Sequence, residues 1–562
     1  MPTIETIDWN QVRTFSDGRL QFFVGICEKV GLPQIINQHM QKATGRPFDI
    51  PPAVAAMMLM APMAQEGYHP LYQLNEYYRI KDLEGIFHYP VQLGQIEDER
   101  FGYFLDDFYK SGCRAIFSTV CINALQTYGI QVKSINYDTT SFVMWGEYET
   151  RDGKMGGISI DFGHSKAKRP DKKQIKMGLG VANGTIVDAQ VLSGNLSDKT
   201  YNKENIDDVN TLLERLQVDK TTFYYIADSA LFSEEVLAKT QAAKMKIITR
   251  MPDNVNEAKE LIARGIGEGG QPVVFLNAHK KEVKFIVEES IGDYKGHALK
   301  YAVVYSKPLE TIKVKSTEKK VKVERNTIDG VIKKSQKDKF ACLDDAKREI
   351  VQLQAKQFAK IAFHEITIEP RSVEKKLPGR PFLDPSKSQT RTEYQLCITH
   401  KRNEVAIQEE IRMESTFVLV SNDLALPAEV MLLEYKTQSG VEKRFQQMKN
   451  PQFVNSLYLN TPQRVEALAY LILLTMMVLS VMEQVVREGL KKESTSVICT
   501  GNKVNFQPTQ LMITRIFTEV ITQTYPVNGK TIRRLFTPLN ESQAKIIRYL
   551  GIAEANFAWN SS

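Results

Sequence analysis

The first 130 residues place apolar side chains at the spacing of an α-helix. Leu20, Phe23, Val24, Cys27 and Val30 fall on one face of a helical segment. Further apolar segments, PPAVAAMMLMAPMAQ, HPLYQLNEYYRI and FGYFLDDFYKSGCRAIFSTVCINALQTYG, follow with Pro and Gly breaks between them. The pattern predicts a helical N-terminal domain over residues 1–130.

The pattern then changes to short runs of β-branched and aromatic residues separated by Gly and Asn turns. KSINYDTTSFVMWG, GISIDFGHS and IKMGLGVANGTIVDAQVLSG predict an antiparallel meander. A helical segment over 197–217 begins at a Ser or Asx cap and leads to the strand FYYIADSALFS, a helix and the strand KIITRM. Residues 131–251 are therefore predicted to form three strands, a helix, a strand, a helix and a strand.

Residues 252–415 show a looser pattern of alternating strands with one helix near 341–361, which predicts an inserted β-rich domain. The segment TFVLVSND begins a second core part over 416–490, and residues 491–562 are predicted to be a helical C-terminal region.

The longest apolar run, ALAYLILLTMMVLSVM, covers 467–482 between Glu466 and Glu483. It is shorter than the roughly 20 residues that a bilayer core requires. We therefore predict a buried core helix and no membrane partner.

Composition adds little beyond a globular, multi-domain class. The 73 Lys and Arg against 66 Asp and Glu leave a net charge of +7, which is mild for 562 residues. Basic runs nevertheless occur at 165–176, 311–325 and 373–380, where the surface could follow phosphates. No CxxC pair is present and no signal peptide is readable, which disfavours a zinc ribbon or disulfide scaffold and favours the cytosol.

The segment EYKTQSGVEKRFQQMKN, residues 434–450, carries an unusual polar pattern. In a continuous helix, Tyr435, Gln438, Glu442 and Lys449 would lie within an arc of about 60°. A solvated helix face is the simplest interpretation of such a stripe. The alternative is a functional face, because the opposite side carries apolar residues and acidic partners for Glu442 exist elsewhere in the chain.

Two acidic residues interrupt apolar strands, Asp138 in INYDTTSF and Asp228 in YYIADSALF. A carboxylate in a buried strand needs a compensating partner, because desolvation of its charge is costly. That partner is either a neighbouring Lys, Ser or backbone amide, or a divalent metal ion held by hard oxygen ligands.

Several of these segments resemble a known family. INYDTTSFVMWGEY, FGHSKAKRPDKKQIKMGL, LSGNLSDK, YYIADSALFS and the polar stripe look like a DDE transposase of bacterial insertion sequences. More narrowly, the chain is similar to the branch with a Tyr-x2-Arg-x3-Glu-x6-Lys signature and a β-strand insertion before it. The resemblance covers nearly the whole chain. It implies an α/β fold, an RNase H-like mixed sheet interrupted by a β-rich insertion domain, with helical N-terminal and C-terminal regions.

By this resemblance, Asp138, Asp228 and Glu442 match the catalytic, metal-binding triad. The triad is expected to hold two Mg²⁺ (or Mn²⁺) ions for DNA phosphodiester cleavage.

The resemblance also implies DNA contacts around the third acidic residue. Tyr435 and Lys449 match residues that contact the transposon end. Gln438 departs from the family pattern, which has Arg there, so a weaker grip on phosphate is expected.

The turn GHSKAKRPDKK supplies four further candidates for DNA contact: His164, Lys166, Lys168 and Arg169. A solvated turn is the alternative interpretation. Asp161 and Asp171 rank below Asp138 and Asp228 as metal ligands, because they lie beside basic turn residues.

Some relatives form a DNA hairpin and stack a flipped base on a Trp of the insertion domain. Residues 252–415 contain no Trp, and Tyr294, Tyr301, Tyr305 or Phe382 would have to replace it. The sequence therefore gives the hairpin step no support.

The resulting hypothesis is a transposase that cleaves DNA at the terminal inverted repeats of its element and joins the ends to target DNA. It is expected to act as a homodimer in a synaptic complex, in the bacterial cytoplasm at the nucleoid, with the N-terminal domain binding the ends. The alternatives are a non-catalytic DNA-binding protein derived from a transposase and an RNase H-like structure-selective nuclease.

Overall fold

The computed structural model describes residues 9–41, 48–65, 67, 69–146, 148, 157–276, 281–376, 390–450, 453, 457, 459–527 and 530–560. Phe382 lies outside these residues. The chain forms two compact units, Met1–Thr249 with Leu433–Ser562, and Arg250–Leu432.

The helices of the described residues are α1 Gly18–Lys29, α2 Leu32–His39, α3 Pro52–Gln65, α4 Leu74–Tyr78, α5 Leu83–Phe87, α6 Asp98–Lys110, α7 Cys113–Thr127, α8 Asp198–Arg215, α9 Glu234–Ala242, α10 Asn256–Arg264, α11 Lys307–Ser335, α12 Leu343–Lys356, α13 Glu404–Glu414, α14 Ala428–Lys436, α15 Ser439–Met448, α16 Pro462–Lys492, α17 Gln510–Ile516 and α18 Glu541–Leu550.

The strands are β1 Arg13–Phe15, β2 Ser134–Val143, β3 Gln174–Ala182, β4 Thr185–Leu192, β5 Tyr224–Ala227, β6 Lys246–Arg250, β7 Gln271–Leu276, β8 Glu282–Tyr294, β9 His297–Ser306, β10 His364–Lys376, β11 Thr390–Arg402, β12 Thr416–Ser421, β13 Val497–Cys499, β14 Lys503–Asn505, β15 Thr522–Val527 and β16 Lys530–Leu535.

The first unit is built on a mixed sheet with the strand order β4-β3-β2-β5-β6. Strands β2, β3 and β4 form an antiparallel meander, whereas β5 and β6 run parallel to β2. Helix α8 connects the meander to β5, and α9 connects β5 to β6. This confirms the RNase H-like α/β core that the resemblance implies.

The long helix α16 packs against β4, α3, α6 and α7. The apolar run over 467–482 forms the middle of this 31-residue helix. Among the described residues it is the one helix long and apolar enough to cross a membrane, but 94% of its most apolar window is buried inside the fold. The structure thus uses it as a core helix, because its apolar surface is covered on all sides by protein.

The N-terminal helices and the C-terminal region belong to the same unit. Strand β1 pairs with β15, which pairs with β16, and the ring of Phe22 on α1 stacks on Phe517 with centroids 3.8 Å apart. The C-terminal region contains α17 and α18 but also the four strands β13 to β16. The hydrophobic pattern predicted the helices of this region but not its four short strands.

The second unit contains the antiparallel order β12-β9-β8-β7 and the two-stranded ribbon of β10 and β11. The predicted helix near 341–361 is α12, and the structure adds the 29-residue α11, which the sequence reading did not predict. The unit boundaries, Arg250 and Leu432, also place β12 with this unit, whereas the predicted insertion ends at 415.

The polar stripe is not on one continuous helix, which corrects the expectation of a single helical face. Helix α14 ends at Lys436, and α15 begins at Ser439. Tyr435 therefore lies on α14, Gln438 is the N-cap residue of α15, Glu442 lies in the first turn of α15, and Lys449 is its C-cap residue. The intervening TQSG segment consists of residues that favour caps and turns over helix interiors.

Candidate active site

Asp138 lies in the middle of β2, beside the C-terminal end of the neighbouring parallel strand β5, which Asp228 directly follows. In the register of β2 and β5, Tyr137 is paired with Ala227, so each acidic residue directly follows the last paired position, Asp138 within β2 and Asp228 just after β5. Paired positions on adjacent strands point to the same face of a sheet. The two carboxyl groups interact electrostatically, since Asp138 raises the pKa of Asp228.

The ammonium group of Lys166 lies against this pair. Its Nζ donates to Oδ1 of Asp138 at 2.9 Å and to the backbone oxygen of Thr139 at 2.7 Å. The same Nζ is 3.4 Å from Oδ2 of Asp198. Oδ1 of Asp138 also accepts the backbone N–H of Thr139 at 2.7 Å. Lys166 therefore joins Asp138 to a carboxylate on a different element.

Asp198 is a site residue that sequence reasoning did not single out. It is the first residue of α8, whose N-cap Ser197 accepts the backbone N–H of Thr200. Its Oδ1 accepts from the hydroxyl of Thr139 at 2.7 Å and from Nζ of Lys176 at 3.1 Å. The segment LSGNLSDK contained a local indication of this residue, because an acidic residue follows a Ser cap at a helix N-terminus there.

The pKa shifts agree with one shared electrostatic environment. Burial, Asp138 and Asp198 raise the pKa of Asp228 against the opposing effects of the Ala230 N–H and Lys166. Burial raises the pKa of the Asp198 carboxyl, but Lys166, Thr139 and Lys176 outweigh it, so that pKa is lowered. For Lys166, burial is likewise outweighed by the three acidic residues, and its pKa is raised.

Two hydrogen bonds tie β2 to the segment that carries Glu442. The Ser134 hydroxyl donates to Oε2 of Glu434 at 3.0 Å, and Nδ2 of Asn136 donates to Oγ1 of Thr437 at 2.7 Å. Ser134, Asn136 and Asp138 alternate along β2 and so share one face. Helix α15 packs on β2 and β3.

Glu442, in the first turn of α15, and Lys449, its C-cap residue, have different environments. Burial and Lys166 lower the pKa of Lys449 while Asp138 raises it, so the Lys449 ammonium is within electrostatic reach of the Asp138 cluster. Glu442 is exposed, and no described hydrogen bond or ion pair joins it to Asp138 or Asp228. Tyr435 and Gln438 are half-buried.

The basic turn presents its candidates in different ways. His164 and Lys168 are exposed, and Lys168 has a φ of 58° in a turn closed by its N–H bond to Ser165. Arg169 donates to both carboxylate oxygens of Asp171 at 2.7 and 2.6 Å, and its guanidinium lies 5.2 Å from the ring centre of Trp145. The Arg169 guanidinium is therefore already hydrogen-bonded to the Asp171 carboxylate in the protein without DNA.

A family model described as a transposase DDE domain matches residues 149–478, which is more than half of the chain. The chain belongs to the DDE transposase family. The match includes Asp228 and Glu442 and begins after Asp138. A second model, described as a domain of unknown function (DUF4277), matches residues 17–122 of this transposase.

Solved transposase structures resemble the transposase only weakly. A cryo-EM structure of the piggyBac transposase synaptic complex with hairpin DNA is 11% identical, with a TM-score of 0.37, covering 100% of this chain and 88% of that chain. The Mos1 transposase paired-end complex with the left transposon end is 8% identical, with a TM-score of 0.15, covering 37% and 61%. Comparison with curated proteins gives no match. At these TM-scores the similarities carry no argument about the site.

DDE transposases generally use divalent metal ions, and the donor chemistry of this transposase fits such an ion. Among the residues that the structure describes, no group of three or more His, Cys, Asp or Glu side chains is arranged to hold a metal. Asp138 and Asp228 nevertheless offer the hard carboxylate oxygens that Mg²⁺ prefers, on neighbouring segments of the chain. The Lys166 ammonium on Asp138 is a stand-in cation, which shows that the cluster attracts positive charge.

Proposed function

We propose that this DNA transposase cleaves DNA at the terminal inverted repeats of its element and joins the freed 3′-hydroxyl ends to target DNA. Asp138, Asp228 and Glu442 are the proposed ligands of two Mg²⁺ or Mn²⁺ ions. Such ions supply activation of a water or 3′-hydroxyl nucleophile and stabilisation of the leaving oxygen. The protein's part is to place the three carboxylates and to hold the scissile phosphate beside them.

The observation that carries this proposal is the adjacency of Asp138 and Asp228. The parallel register of β2 and β5 brings Asp138, in the middle of β2, next to Asp228, which follows the end of β5 and is 90 positions later in the chain, and their charges interact. Two carboxylates this close are unfavourable without a cation, because each disfavours ionisation of the other. Membership of the DDE transposase family supports the interpretation that the two carboxylates bind the metal ions used for phosphodiester cleavage.

The assignment of Glu442 as the third ligand is supported by the residues on either side of it. Thr437 bonds Asn136, two positions before Asp138 on the same strand face. Lys449 interacts electrostatically with Asp138. Glu442 lies between these two anchors on the short helix that packs over β2.

The proposed DNA contacts surround this cluster. Lys449 and the basic turn with His164, Lys168 and Arg169 supply positive charge for phosphates. Tyr435 and Gln438 precede Glu442 and would contact the transposon end, with the Gln438 amide giving a weaker phosphate contact than an Arg fork.

The remaining parts of the proposal concern the N-terminal domain, the oligomeric state and the cell compartment. Residues 1–130 would bind the element ends, and two ends held together require a homodimer. The cell compartment proposed for this reaction is the bacterial cytoplasm, at the nucleoid. The predicted boundaries at 131–251, 252–415, 416–490 and 491–562 remain working divisions for truncation experiments.

The decisive experiment incubates the purified protein with Mg²⁺, a labelled duplex carrying the inverted repeats that flank its gene, and a plasmid target. Joined products support the proposal, cut ends alone indicate a nuclease, and a gel shift without cleavage indicates a non-catalytic binding protein. Ala variants of Asp138, Asp228 and Glu442 should each lose cleavage and retain the gel shift. Asp161→Ala is the matched control, because Asp161 is a nearby carboxylate outside the proposed triad; a triad variant that still cleaves is removed from the site.

A further inference from the structure

Lys166 is enclosed by acceptor oxygens more completely than a DNA-facing surface lysine would be. Its Nζ has three oxygen neighbours, from Asp138 at 2.9 Å, Thr139 at 2.7 Å and Asp198 at 3.4 Å. Two of the three hydrogens of the ammonium have hydrogen-bond acceptors here, and the Asp198 oxygen is an ion-pair neighbour. Lys166 lies in an exposed turn, but its side chain is only 29% exposed, because it is directed toward these oxygens.

We propose that Lys166 is a built-in counter-cation that holds Asp138 in the metal-free transposase and must leave Asp138 when a divalent cation binds there. The proposal rests on the proposed function, in which Asp138 is a metal ligand. It gives Lys166 a role in the occupancy of the metal site itself, before any contact with DNA.

The physical basis of this proposal is competition between the Lys166 ammonium and a divalent cation for the Asp138 carboxylate. The Lys166 ammonium uses Oδ1 of Asp138. A divalent cation on the same carboxylate would lie within a few ångströms of the ammonium, where like charges repel strongly in a partly buried site. The two cations therefore exclude each other at Asp138, and Lys166 lowers the affinity for metal.

Asp198 provides the position to which Lys166 can withdraw. Its Oδ2 is already 3.4 Å from the ammonium, so a small movement of the long side chain exchanges one carboxylate for the other. Asp198 is itself fixed by the Thr139 hydroxyl and by the largely buried Lys176. The ammonium would thus remain next to the site.

The first experiment titrates Mn²⁺ into the DNA-free protein and follows free Mn²⁺ by electron paramagnetic resonance. Lys166→Met should bind Mn²⁺ at least about tenfold more tightly than the wild type, since a positive charge next to the ligand is removed. Lys199→Met is the matched control, because it removes an exposed lysine next to Asp198 that has no part in the proposed site, and its affinity should equal that of the wild type. Asp138→Asn identifies the site and should weaken Mn²⁺ binding.

The second experiment uses the wild-type protein and so does not depend on how a variant folds. Brief acylation with an amine-reactive reagent, followed by peptide mass spectrometry, measures the accessibility of each lysine. Saturating Mn²⁺ should increase acylation of Lys166 several-fold and leave Lys168 unchanged.

Equal Mn²⁺ affinities of wild type and a folded Lys166→Met, or acylation of Lys166 that Mn²⁺ does not alter, would overturn the inference alone. Absence of Mn²⁺ binding in every protein, or unchanged binding by Asp138→Asn, would overturn the metal assignment of the proposed function as well. The two failures are therefore distinguishable.

Discussion

Arg533 and Asp82 form a two-pronged ion pair, with Nε and Nη2 of Arg533 2.7 and 3.0 Å from the two carboxylate oxygens of Asp82. Nη2 also donates to Glu84 at 2.8 Å, and the Arg533 side chain is only 3% exposed. The pair joins β16 to the turn that caps α5, 451 residues earlier in the chain. The N-terminal helices and the C-terminal region are therefore joined by a buried charge contact.

Removal of one member of this pair should be strongly destabilising. Arg533→Met leaves Asp82 and Glu84 without their cation, and we expect a loss of about 3–5 kcal/mol in the free energy of unfolding. Urea denaturation followed by fluorescence measures the loss. Arg548→Met is the control, because Arg548 makes a similar fork with Glu493 at the surface, and it should change the unfolding midpoint little. A loss at Arg533 no larger than at Arg548 would contradict this view of the pair.

The buried carboxyl of Asp188 on β4 should make stability depend on pH. Burial raises its pKa, against the opposing effects of Arg114 and the Tyr137 hydroxyl, which donates to Oδ2 at 3.2 Å. Because the folded-state pKa lies above the unfolded value, the favourable contribution of Asp188 is present at acidic pH and is lost as the pH rises through the folded pKa.

Asp188→Asn keeps an acceptor for Tyr137 and removes the charge. We therefore expect a higher thermal unfolding temperature than wild type near neutral pH and a difference that shrinks toward acidic pH. Differential scanning fluorimetry across a pH series measures it. A variant that is less stable than wild type at neutral pH would show that the ionised carboxyl is favourable where it lies.

Asp198 should show the opposite pH dependence. Burial opposes its ionisation, but Lys166, Thr139 and Lys176 lower its pKa below the unfolded value. Its contribution is then present above the unfolded pKa and is lost as the pH falls through the folded pKa. Asp198→Asn should cost about 1–3 kcal/mol at neutral pH, because the nearly buried Lys176 ammonium loses its anion. The same pH series tests this prediction, and a cost that grows on acidification would be inconsistent with it.

The sequence was informative where local pattern and strand order determine position. Asp138 and Asp228 could be selected because each interrupts an apolar strand, and the three-strand, helix, strand order of the family that the chain resembles brings their strands together. Lys166 and Asp198 could not be paired in this way. One comes from a turn and the other from a helix N-terminus, so their contact depends on how the turn folds back over β2.

Helix α11 and the break between α14 and α15 differ from the sequence prediction for different reasons. The segment of α11 contains many β-branched residues and Lys, and it becomes helical where Val321 packs against Ile407 and Ile411 of α13. The break between α14 and α15 had a local signal in the weak helix formers of TQSG. The periodic spacing of the polar stripe was given more weight than those residues, although the spacing assumes an unbroken helix.

The occupied guanidinium of Arg169 leads to a prediction about DNA affinity. The Arg169 bonds lower the pKa of the Asp171 carboxyl to about 2, so Asp171 is ionised in any DNA-binding buffer. Asp171→Asn should release Arg169 for phosphate, strengthen binding several-fold and steepen the salt dependence by up to about one phosphate contact. Fluorescence anisotropy with a labelled duplex over a salt series measures both quantities.

A matched control is available in the second unit. Asp253→Asn frees Arg250 from an equally short contact of 2.7 Å and makes the same change in net charge. If the two variants bind DNA equally, the effect is one of net charge, and the basic turn has no special role.

The Thr437 hydroxyl is the connection between β2 and the helix break, and its loss should separate catalysis from binding. It accepts from Nδ2 of the buried Asn136 at 2.7 Å and donates to the backbone oxygen of Glu434 at 2.6 Å. Thr437→Val keeps the shape and removes both bonds, so α15 and Glu442 should lose their fixed position over the strand. Displacement of a catalytic group by about 1 Å can cost about a hundredfold in rate. We expect single-turnover cleavage to slow by about ten- to a hundredfold with an unchanged DNA affinity. Thr437→Ser restores the hydroxyl and should recover most of the rate. If Thr437→Val cleaves as fast as wild type, the position of Glu442 does not depend on this contact, and its proposed place in the triad loses its structural support.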